Sequence, residues 1–394
     1  MPQGWVAVRR RCPFLGHRVS GASPGGAWWC STVSRLWSTA PPGRWRVSGQ
    51  GQSAAAAARR QRQSHADQHG HSRQEPRTGP WASLDSGQWS RLESALRPGA
   101  LWRPHVVVRK PRDSVSTIDE MTRAVRHSLN EEFTWVRRQP PFRGITKEQA
   151  AAYDELGYFV VEGAFDPETV AEVVAEIDPI EREFEDLLRQ AEGAKAFIAR
   201  ADEITFTTHI VTRSERLRRF VTSPPLIDVC ADLIGPDVRL YWDQAVYKKP
   251  GTATPFPWHQ DNGYAFVEPQ QYLTCWIALT DATEENGCPW VVPGLHKMGT
   301  LRHHLTDTGL VCFDEASDAV PAPVSGGGMV VFSSLTPHCT GPNRTEGVRK
   351  AYIVQYAPDG AEVIPADARS GSERAPANAP GRQFSVLREG VGVG

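Results

Sequence analysis

The sequence feature that most constrains the fold is a set of three metal-binding side chains drawn from two distant segments. His259 and Asp261 stand two residues apart, and on an extended chain such residues point to the same side. His338 follows residues 329–332, an apolar run typical of a strand. A fold that uses all three side chains must bring the two segments together.

Two histidines and one carboxylate on one face of an ion, with the opposite face open, are typical of non-haem Fe(II) oxygenases. Zinc sites draw more often on cysteine or on a third histidine. The His-x-Asp spacing alone is a weak signal because it often arises by chance. It gains weight from His338 and from Arg349, which stands eleven positions after that histidine.

Three segments, residues 259–261, 286–297 and 338–349, resemble the phytanoyl-CoA dioxygenase family of Fe(II)/2-oxoglutarate oxygenases. The resemblance extends from about residue 144 to about residue 358, in the order and at the spacing of the family. It implies that His259, Asp261 and His338 bind Fe(II). It also implies an α+β fold built on a double-stranded β-helix, the cupin-like jelly-roll barrel of this superfamily, with supporting N-terminal helices.

The cosubstrate of such an enzyme, 2-oxoglutarate, has a far carboxylate that is costly to bury without a partner. A guanidinium offers it two parallel charge-assisted hydrogen bonds, and Arg349, on the strand after His338, is the candidate. By resemblance, Thr340 adds a hydroxyl near the same carboxylate. Trp276 is expected to pack against the cosubstrate, and Gln244 to donate a hydrogen bond to it.

The open positions of such an iron suit a chelating 2-oxo acid and O2. We therefore expect hydroxylation of an unactivated C–H bond with release of succinate and CO2. Halogenating relatives are implied to lack the carboxylate ligand, and this chain keeps Asp261. Two alternatives stay open: a non-oxidising, cupin-like metal- or ligand-binding protein, and a desaturase, epimerase or ring-closing variant of the same enzyme.

The resemblance does not identify the substrate, because a fold and its cofactor do not determine which substrate an enzyme binds. Natural-product scaffolds, amino-acid derivatives, fatty-acyl thioesters and small phosphonates all remain open. We expect a small-molecule substrate and a monomer or a homodimer.

Residues 1–120 differ in composition from the remainder. They hold 18 Lys and Arg against 7 Asp and Glu, while the rest of the chain holds 26 against 38, and no lysine precedes Lys110. Because no apolar period is sustained there, we expect no buried core. We favour a start-site overextension ending near Met121, with an organelle transit peptide or a disordered natural tail as alternatives. Residues 121–394 then form the dioxygenase domain.

Composition also excludes several classes of protein. The acidic body has no basic stripe, so we expect no nucleic-acid partner. No uninterrupted apolar run approaches the roughly 18 residues of a membrane helix, so we expect no membrane partner. The seven cysteines are odd in number and contain no C-x-x-C pair, which argues against a disulfide framework and indicates a reducing, cytoplasmic location.

Local signals predict helices at the front of the domain and strands behind them. Thr146 and Gln149 form a capping-box pattern for a helix that ends at Gly157. Asp166 starts a longer helix, which Pro179 is predicted to kink or end. Further strands are predicted at residues 158–161, 238–248, 271–280, 288–292, 329–332 and 351–356. This order favours an antiparallel barrel or sandwich.

Other polar residues have ordinary interpretations. His296 is expected to hold a loop, and His303 and His304 to lie in a loop or face solvent, because neighbours on a strand point to opposite sides. His209 either contacts substrate or packs. Arg344 is expected to be a solvated loop charge.

The residues around the first two ligands have two interpretations. Trp258, Asn262 and Tyr264 could line the substrate entrance, although Trp258 could equally be an apolar core anchor. Residues 325–328 predict a turn into the next strand. The tail at residues 383–388 is expected to return as a short strand or as a flap over the barrel mouth.

Overall fold

The computed structural model describes residues 124–130, 132–364 and 373–393. Residues 1–123 lie outside the described residues, so the leader and its boundary near residue 120 remain predictions. All described residues belong to one structural unit.

The described residues contain four α-helices: α1 (Lys147–Leu156), α2 (Pro167–Gln190), α3 (Glu215–Phe220) and α4 (Pro224–Leu233). The capping box predicted for α1 is confirmed, because the Thr146 hydroxyl accepts from the Gln149 amide and the Gln149 side chain accepts from the Thr146 amide. Gly157 ends this helix in the left-handed region, at φ 87°, which favours glycine. The local sequence therefore determines both ends of α1.

Helix α2 continues through Pro179 to Gln190, so of the two predicted outcomes at this proline, a kink or an end, the end is wrong. Ile177 and Ile180, on either side of the proline, are both buried in the main core. Asp178 also pairs with Lys350 of the sheet at 2.8 Å. These tertiary contacts outweigh the local penalty of a proline inside a helix.

The described residues contain nineteen short strands. In chain order they are β1 (Tyr158–Val161), β2 (Lys195–Ala196), β3 (Ala199–Arg200), β4 (Ile204–Thr208), β5 (Val238–Lys248), β6 (Phe256–His259), β7 (Phe266–Glu268), β8 (Leu273–Ala278), β9 (Pro289–Val291), β10 (His304–Thr306), β11 (Gly309–Val311), β12 (Val320–Pro321), β13 (Met329–Ser333), β14 (His338–Thr340), β15 (Arg349–Pro358), β16 (Glu362–Ile364), β17 (Ala375–Pro376), β18 (Ser385–Arg388) and β19 (Val391–Gly392). The strand predicted at residues 383–388 is confirmed as β18, which pairs with β5.

The strands form antiparallel sheets. The main sheet has the order β1-β13-β8-β15-β5-β4-β3-β2, with β18 also paired to β5 and β19 paired to β18, and a second sheet has the order β12-β9-β14-β6. The smaller sheets are β10-β11 and β17-β16-β7. Strands far apart in sequence are therefore neighbours, as the three ligand candidates require.

The two faces of the main sheet bury different cores, because successive side chains on a strand point to opposite sides. On β8, Cys275 and Ile277 pack in the core that also contains residues of α1, α2 and α4. Trp276 and Ala278 pack in the core on the opposite, inner face, which Phe256 and Trp290 of the second sheet contact. The predicted α+β class with antiparallel sheets and supporting helices is confirmed.

None of the helices in the described ranges is long and apolar enough to cross a bilayer.

Candidate active site

The two histidines predicted as ligands lie opposite each other on neighbouring strands. His259 is the last residue of β6 and His338 is the first residue of β14, and the two form a cross-strand pair in the second sheet. Side chains of such a pair stand on the same face. The centroids of the two imidazole rings are accordingly 4.2 Å apart, and both side chains are buried.

Asp261 reaches the same point from the turn after β6. The backbone stays extended through Gln260 (φ −108°, ψ 144°) and then enters the short 3-10 helix Asp261–Gly263. Asp261 Oδ1 lies 3.9 Å from Nε2 of His259 and 3.9 Å from Nε2 of His338. The three donor atoms all lie within 4.8 Å of one another, and in the described part of the chain no other group of His, Cys, Asp and Glu has this geometry.

Backbone carbonyls hold both imidazoles in the orientation that metal binding requires. His259 Nδ1 lies 2.8 Å from the Pro257 carbonyl, and His338 Nδ1 lies 3.0 Å from the Thr336 carbonyl. A carbonyl only accepts, so each Nδ1 carries the proton and each Nε2 offers a lone pair. Burial, followed by the proximity of His338, lowers the pKa of His259 well below its usual range, which keeps that ring neutral.

Thr274 orients the carboxylate, a role that sequence reasoning missed. Its hydroxyl donates to Asp261 Oδ2 over 2.5 Å and in turn accepts from Gln355 Nε2 over 3.4 Å. Oδ1 is thereby left facing the two histidines. The alternation of side chains along β8 was an available signal, since Thr274 and Trp276 share a face.

Arg349 is buried with an incomplete set of hydrogen-bond partners. It is 1% exposed, its Nη1 donates to the Val246 carbonyl at 3.4 Å, and its Nε and Nη2 have no partner. Its guanidinium lies 5.2 Å from the ring centroid of Trp276. Burial lowers the pKa of Arg349 to about 10, a value at which the group is still charged at neutral pH. Buried donors without partners are rare and costly, so this arrangement fits a bound carboxylate.

The other residues expected near the cosubstrate lie on the same inner face. Gln244 of β5 and Trp276 of β8 both pair in register with Ile353 of β15. Trp276 is buried, whereas Gln244 is half-buried and its Oε1 accepts from Trp242 Nε1 at 3.2 Å. The main sheet thus brings both predicted residues together with Arg349.

Thr340 ends β14, two residues after His338, and its hydroxyl accepts from Lys248 Nζ at 3.2 Å. Lys248 is a second residue that sequence reasoning missed. It stands four residues after Gln244 on β5, so the two-residue alternation places both on one face.

The remaining histidines lie outside the three-residue cluster. His296 is fully buried and packs edge-on against Trp135 at 4.4 Å between ring centroids. His303 lies in a loop, in agreement with the prediction, and is half-buried, with its Nε2 accepting from the Gln260 backbone amide at 2.9 Å. Burial lowers its pKa to about 4, so it stays a neutral acceptor behind the turn. His304 is exposed, as predicted.

His209 packs rather than standing free. Its ring lies 4.2 Å from Trp242, and its Nε2 lies 2.6 Å from Arg382 Nη1. Its backbone is left-handed, at φ 57°, and burial lowers its pKa to about 3. The histidine is therefore a neutral acceptor for the guanidinium.

The residues flanking the first two ligands brace the turn. Asn262 Nδ2 donates to the Thr300 hydroxyl at 2.6 Å, and Asn262 Oδ1 accepts from the Val267 backbone amide at 2.9 Å. Tyr264 packs edge-on against His259 at 5.4 Å between ring centroids. Asn262 is almost fully buried, so it does not line an entrance.

Two further predictions agree with the structure. Trp258 packs against Phe313 in a tilted arrangement at 5.6 Å between ring centroids and belongs to a small apolar cluster, in agreement with its alternative role as a core anchor. Arg344 is exposed in its loop, as predicted.

Comparison with known proteins identifies the family of the chain. The family model for phytanoyl-CoA dioxygenase (PhyH) matches residues 153–351, slightly more than half of the chain. The chain belongs to the phytanoyl-CoA dioxygenase family. It is therefore an enzyme of the 2-oxoglutarate-dependent dioxygenase class, with Fe(II), 2-oxoglutarate and O2 as its cofactor and cosubstrates.

Three curated relatives illustrate the range of similarity. A methylphosphonate hydroxylase of Gimesia maris is 33% identical over 153 residues, which are 38% of this chain and 57% of that protein. Mouse peroxisomal phytanoyl-CoA dioxygenase is 26% identical over 56% of this chain and 70% of its own. A probable alpha-ketoglutarate-dependent hypophosphite dioxygenase of Stutzerimonas stutzeri is 28% identical over 53% and 78%.

Among solved structures, the non-haem alpha ketoglutarate dependent carbocyclase SnoK from nogalamycin biosynthesis covers 62% of this chain, and the match includes 97% of SnoK. The sequence identity is 22% and the TM-score is 0.49.

Proposed function

We propose that His259, Asp261 and His338 hold Fe(II) and that Arg349 binds the far carboxylate of 2-oxoglutarate, with Thr340 beside it. The proposal rests on two features of the structure. The donor atoms of the three proposed ligands lie close together, and the buried guanidinium of Arg349 has N–H donors without a partner. A 2-His-1-carboxylate face leaves positions open for a chelating 2-oxo acid. Trp276 and Gln244 complete the cosubstrate pocket in this proposal.

The proposed reaction is hydroxylation of an unactivated C–H bond in a small molecule. When bound, Fe(II) with 2-oxoglutarate and O2 supplies the oxidant that such a bond requires, and succinate and CO2 are released. Desaturation or epimerisation by the same residues is the second candidate, and only product analysis separates these outcomes. The non-oxidising alternative is disfavoured because the chain retains both the three donors and Arg349.

The protein contributes orientation and exclusion of water. The carbonyls of Pro257 and Thr336 hold the two imidazoles so that each Nε2 points towards the proposed iron position. The Thr274 hydroxyl holds the carboxylate of Asp261. Such partners beyond the ligands tune metal affinity. Trp276 covers the guanidinium of Arg349, so a carboxylate bound there interacts in a dry site where charge pairing is strong.

We also propose the double-stranded β-helix as the architecture, supported by two antiparallel sheets whose facing residues supply the site. The names of three relatives refer to methylphosphonate, hypophosphite and phytanoyl-CoA as substrates. These differ too much to identify the substrate of this chain. A cytoplasmic location is proposed because the cysteines in the described part of the chain are free thiols, namely Cys230, Cys275, Cys288, Cys312 and Cys339. We also propose that the protein is a monomer or a homodimer and that it has no nucleic-acid or membrane partner.

Anaerobic titration of the full chain with Fe(II) and 2-oxoglutarate tests the assignment. A chelated 2-oxo acid gives a weak visible charge-transfer band, which we expect in the wild type. His259→Ala should abolish the band, and Arg349→Ala should raise the 2-oxoglutarate concentration for half-saturation by about 100-fold, since a charge-assisted pair is lost.

Matched controls exist on the same protein. His304→Ala and Arg344→Ala remove an exposed histidine and an exposed arginine, and both should leave the band unchanged. A folded wild type that binds iron without giving the band would overturn the oxygenase assignment in favour of a non-oxidising metal-binding protein.

A further inference from the structure

A second buried cation lies beside Arg349. Lys248 ends β5 and forms a direct cross-strand pair with Arg349, the first residue of β15. It is fully buried, and its Nζ donates to the Thr340 hydroxyl at 3.2 Å, to the Thr340 carbonyl at 3.4 Å and to the Gly341 carbonyl at 2.5 Å. Every acceptor is neutral, so these bonds do not compensate the positive charge.

The neighbouring lysine is paired quite differently. Lys249 forms ion pairs with Glu181 and Glu185, each at 2.8 Å. Within the described ranges, neither Lys248 nor Arg349 has a carboxylate within ion-pair distance, and burial together with Arg349 lowers the pKa of Lys248 well below its usual range. Burying two basic groups together without an anion is costly and favours the neutral form of Lys248, so a carboxylate bound beside them would restore its charge.

We propose that Lys248 is a second cosubstrate-binding cation, which joins Arg349 and Thr340 around the far carboxylate of 2-oxoglutarate. This inference rests on the proposed role of Arg349. Its own support is geometric: the cross-strand pairing with Arg349, the full burial, and the hydrogen bond to the Thr340 hydroxyl. Two cations in one dry subsite make the pocket selective for 2-oxo acids that carry a second carboxylate.

The test compares 2-oxoglutarate with 2-oxovalerate, which has the same carbon chain but a methyl group in place of the far carboxylate. The dissociation constants of both are measured anaerobically with Fe(II) on the full chain, for the wild type and for Lys248→Met. We expect the constant for 2-oxoglutarate to rise about 10- to 100-fold, as for a lost charge-assisted hydrogen bond. The constant for 2-oxovalerate should change by less than about 3-fold, within the context dependence of a neutral contact.

Lys249→Met is the matched control. It removes a lysine at the adjacent position whose partners are Glu181 and Glu185, so it should lower stability without altering the ratio of the two constants. If Lys248→Met does not fold, Lys248→Gln keeps an N–H donor and removes the charge, and the same change in the ratio is expected.

Two results would overturn the proposal. Equal weakening of both ligands by Lys248→Met would show that the lysine only ties β5 to β14, and an unchanged affinity for 2-oxoglutarate would place it outside the subsite. Arg349→Met separates this failure from failure of the proposed function. If that variant also leaves the ratio unchanged, the carboxylate subsite itself is wrongly located.

Discussion

Single hydrogen bonds determine how the proposed ligands are presented to an ion. The backbone provides the bonds to His259 and His338, whereas a side chain, Thr274, provides the bond to Asp261. A hydrogen bond from a side chain can be removed by a single substitution that leaves the main chain unchanged. A substitution at Thr274 is therefore expected to weaken metal binding without unfolding the protein.

Thr274→Val should weaken Fe(II) binding by about 10-fold, because the carboxylate loses the donor that orients it. The measurement is anaerobic titration of the metal-free protein with Fe(II). Thr205→Val is a matched control, since Thr205 donates to Glu181 at 2.7 Å on β4, away from the ligands. Equal iron affinity in the Thr274 variant and the wild type would contradict the orienting role.

We expect Asp243 to make the stability of the protein depend on pH. Its Oδ2 accepts from the Val211 amide and the Tyr352 hydroxyl, its Oδ1 has no partner, and burial raises its pKa from 3.8 to about 7. A raised folded-state pKa means that folding opposes ionisation, so stability from this group is present below about pH 4 and is lost as pH rises towards 7.

Asp243→Asn should remove this dependence. Between pH 5 and pH 8 the wild type is expected to lose about 1–3 kcal/mol of unfolding free energy relative to the variant. Urea unfolding at both pH values measures the difference. Parallel pH profiles in the two proteins would show that the carboxyl does not titrate as inferred.

At the scale of elements, tertiary contacts override one strong local signal. Helix α2 continues through Pro179, which is exposed, while its buried face packs on the main sheet. The proline removes one backbone hydrogen bond and costs up to about 3 kcal/mol in a helix interior. The helix therefore persists at a local cost.

Pro179→Ala should raise the unfolding free energy by about 1–3 kcal/mol, because it restores that bond at an exposed position. Chemical denaturation provides the measurement. Ala175→Gly, at an exposed position in the same helix, should lower the unfolding free energy by about 1 kcal/mol and so calibrates the response. A less stable Pro179→Ala protein would show that the proline ring makes a contact that the helix needs.

At the scale of the whole molecule, residues on both sides of the region from about 144 to 358 support the site. Asn130 Nδ2 donates to the carbonyls of Met298 and Thr300, at 2.7 Å and 2.8 Å. Trp135 packs on His296, and β18 extends the main sheet beside β5. The loop that Asn130 holds also anchors the Gln260 side chain, between the two ligands.

These contacts predict different outcomes for two truncations. The fragment 121–394 should retain the charge-transfer band, because it keeps every contact described. The fragment 144–394 should melt several degrees lower, since losing the Asn130 and Trp135 contacts is worth about 1–3 kcal/mol. Thermal denaturation and the anaerobic titration check both. Loss of the band in the fragment 121–394 would show that residues before Met121 are required.

The sequence by itself determined the chemistry and the local boundaries. The spacing of His259, Asp261 and His338 and the position of Arg349 indicated a metal and a cosubstrate carboxylate, and Thr146 and Gly157 indicated the ends of α1. These signals are local or rest on residue type. A capping box involves residues three apart, and a ligand set is recognisable by its chemistry wherever the chain brings it together.

Only the tertiary structure decided which side chains face one another across strands. The pairing of Lys248 with Arg349 and the bond from Thr274 to Asp261 depend on the register of strands that are distant in sequence. The hydrogen bond from the Gln260 amide to His303 depends on the packing of the turn against the loop that contains His303. A one-residue shift in strand register would turn every side chain of the strand to the opposite face of the sheet. The local sequence of a strand does not specify which residues of a distant strand it pairs with.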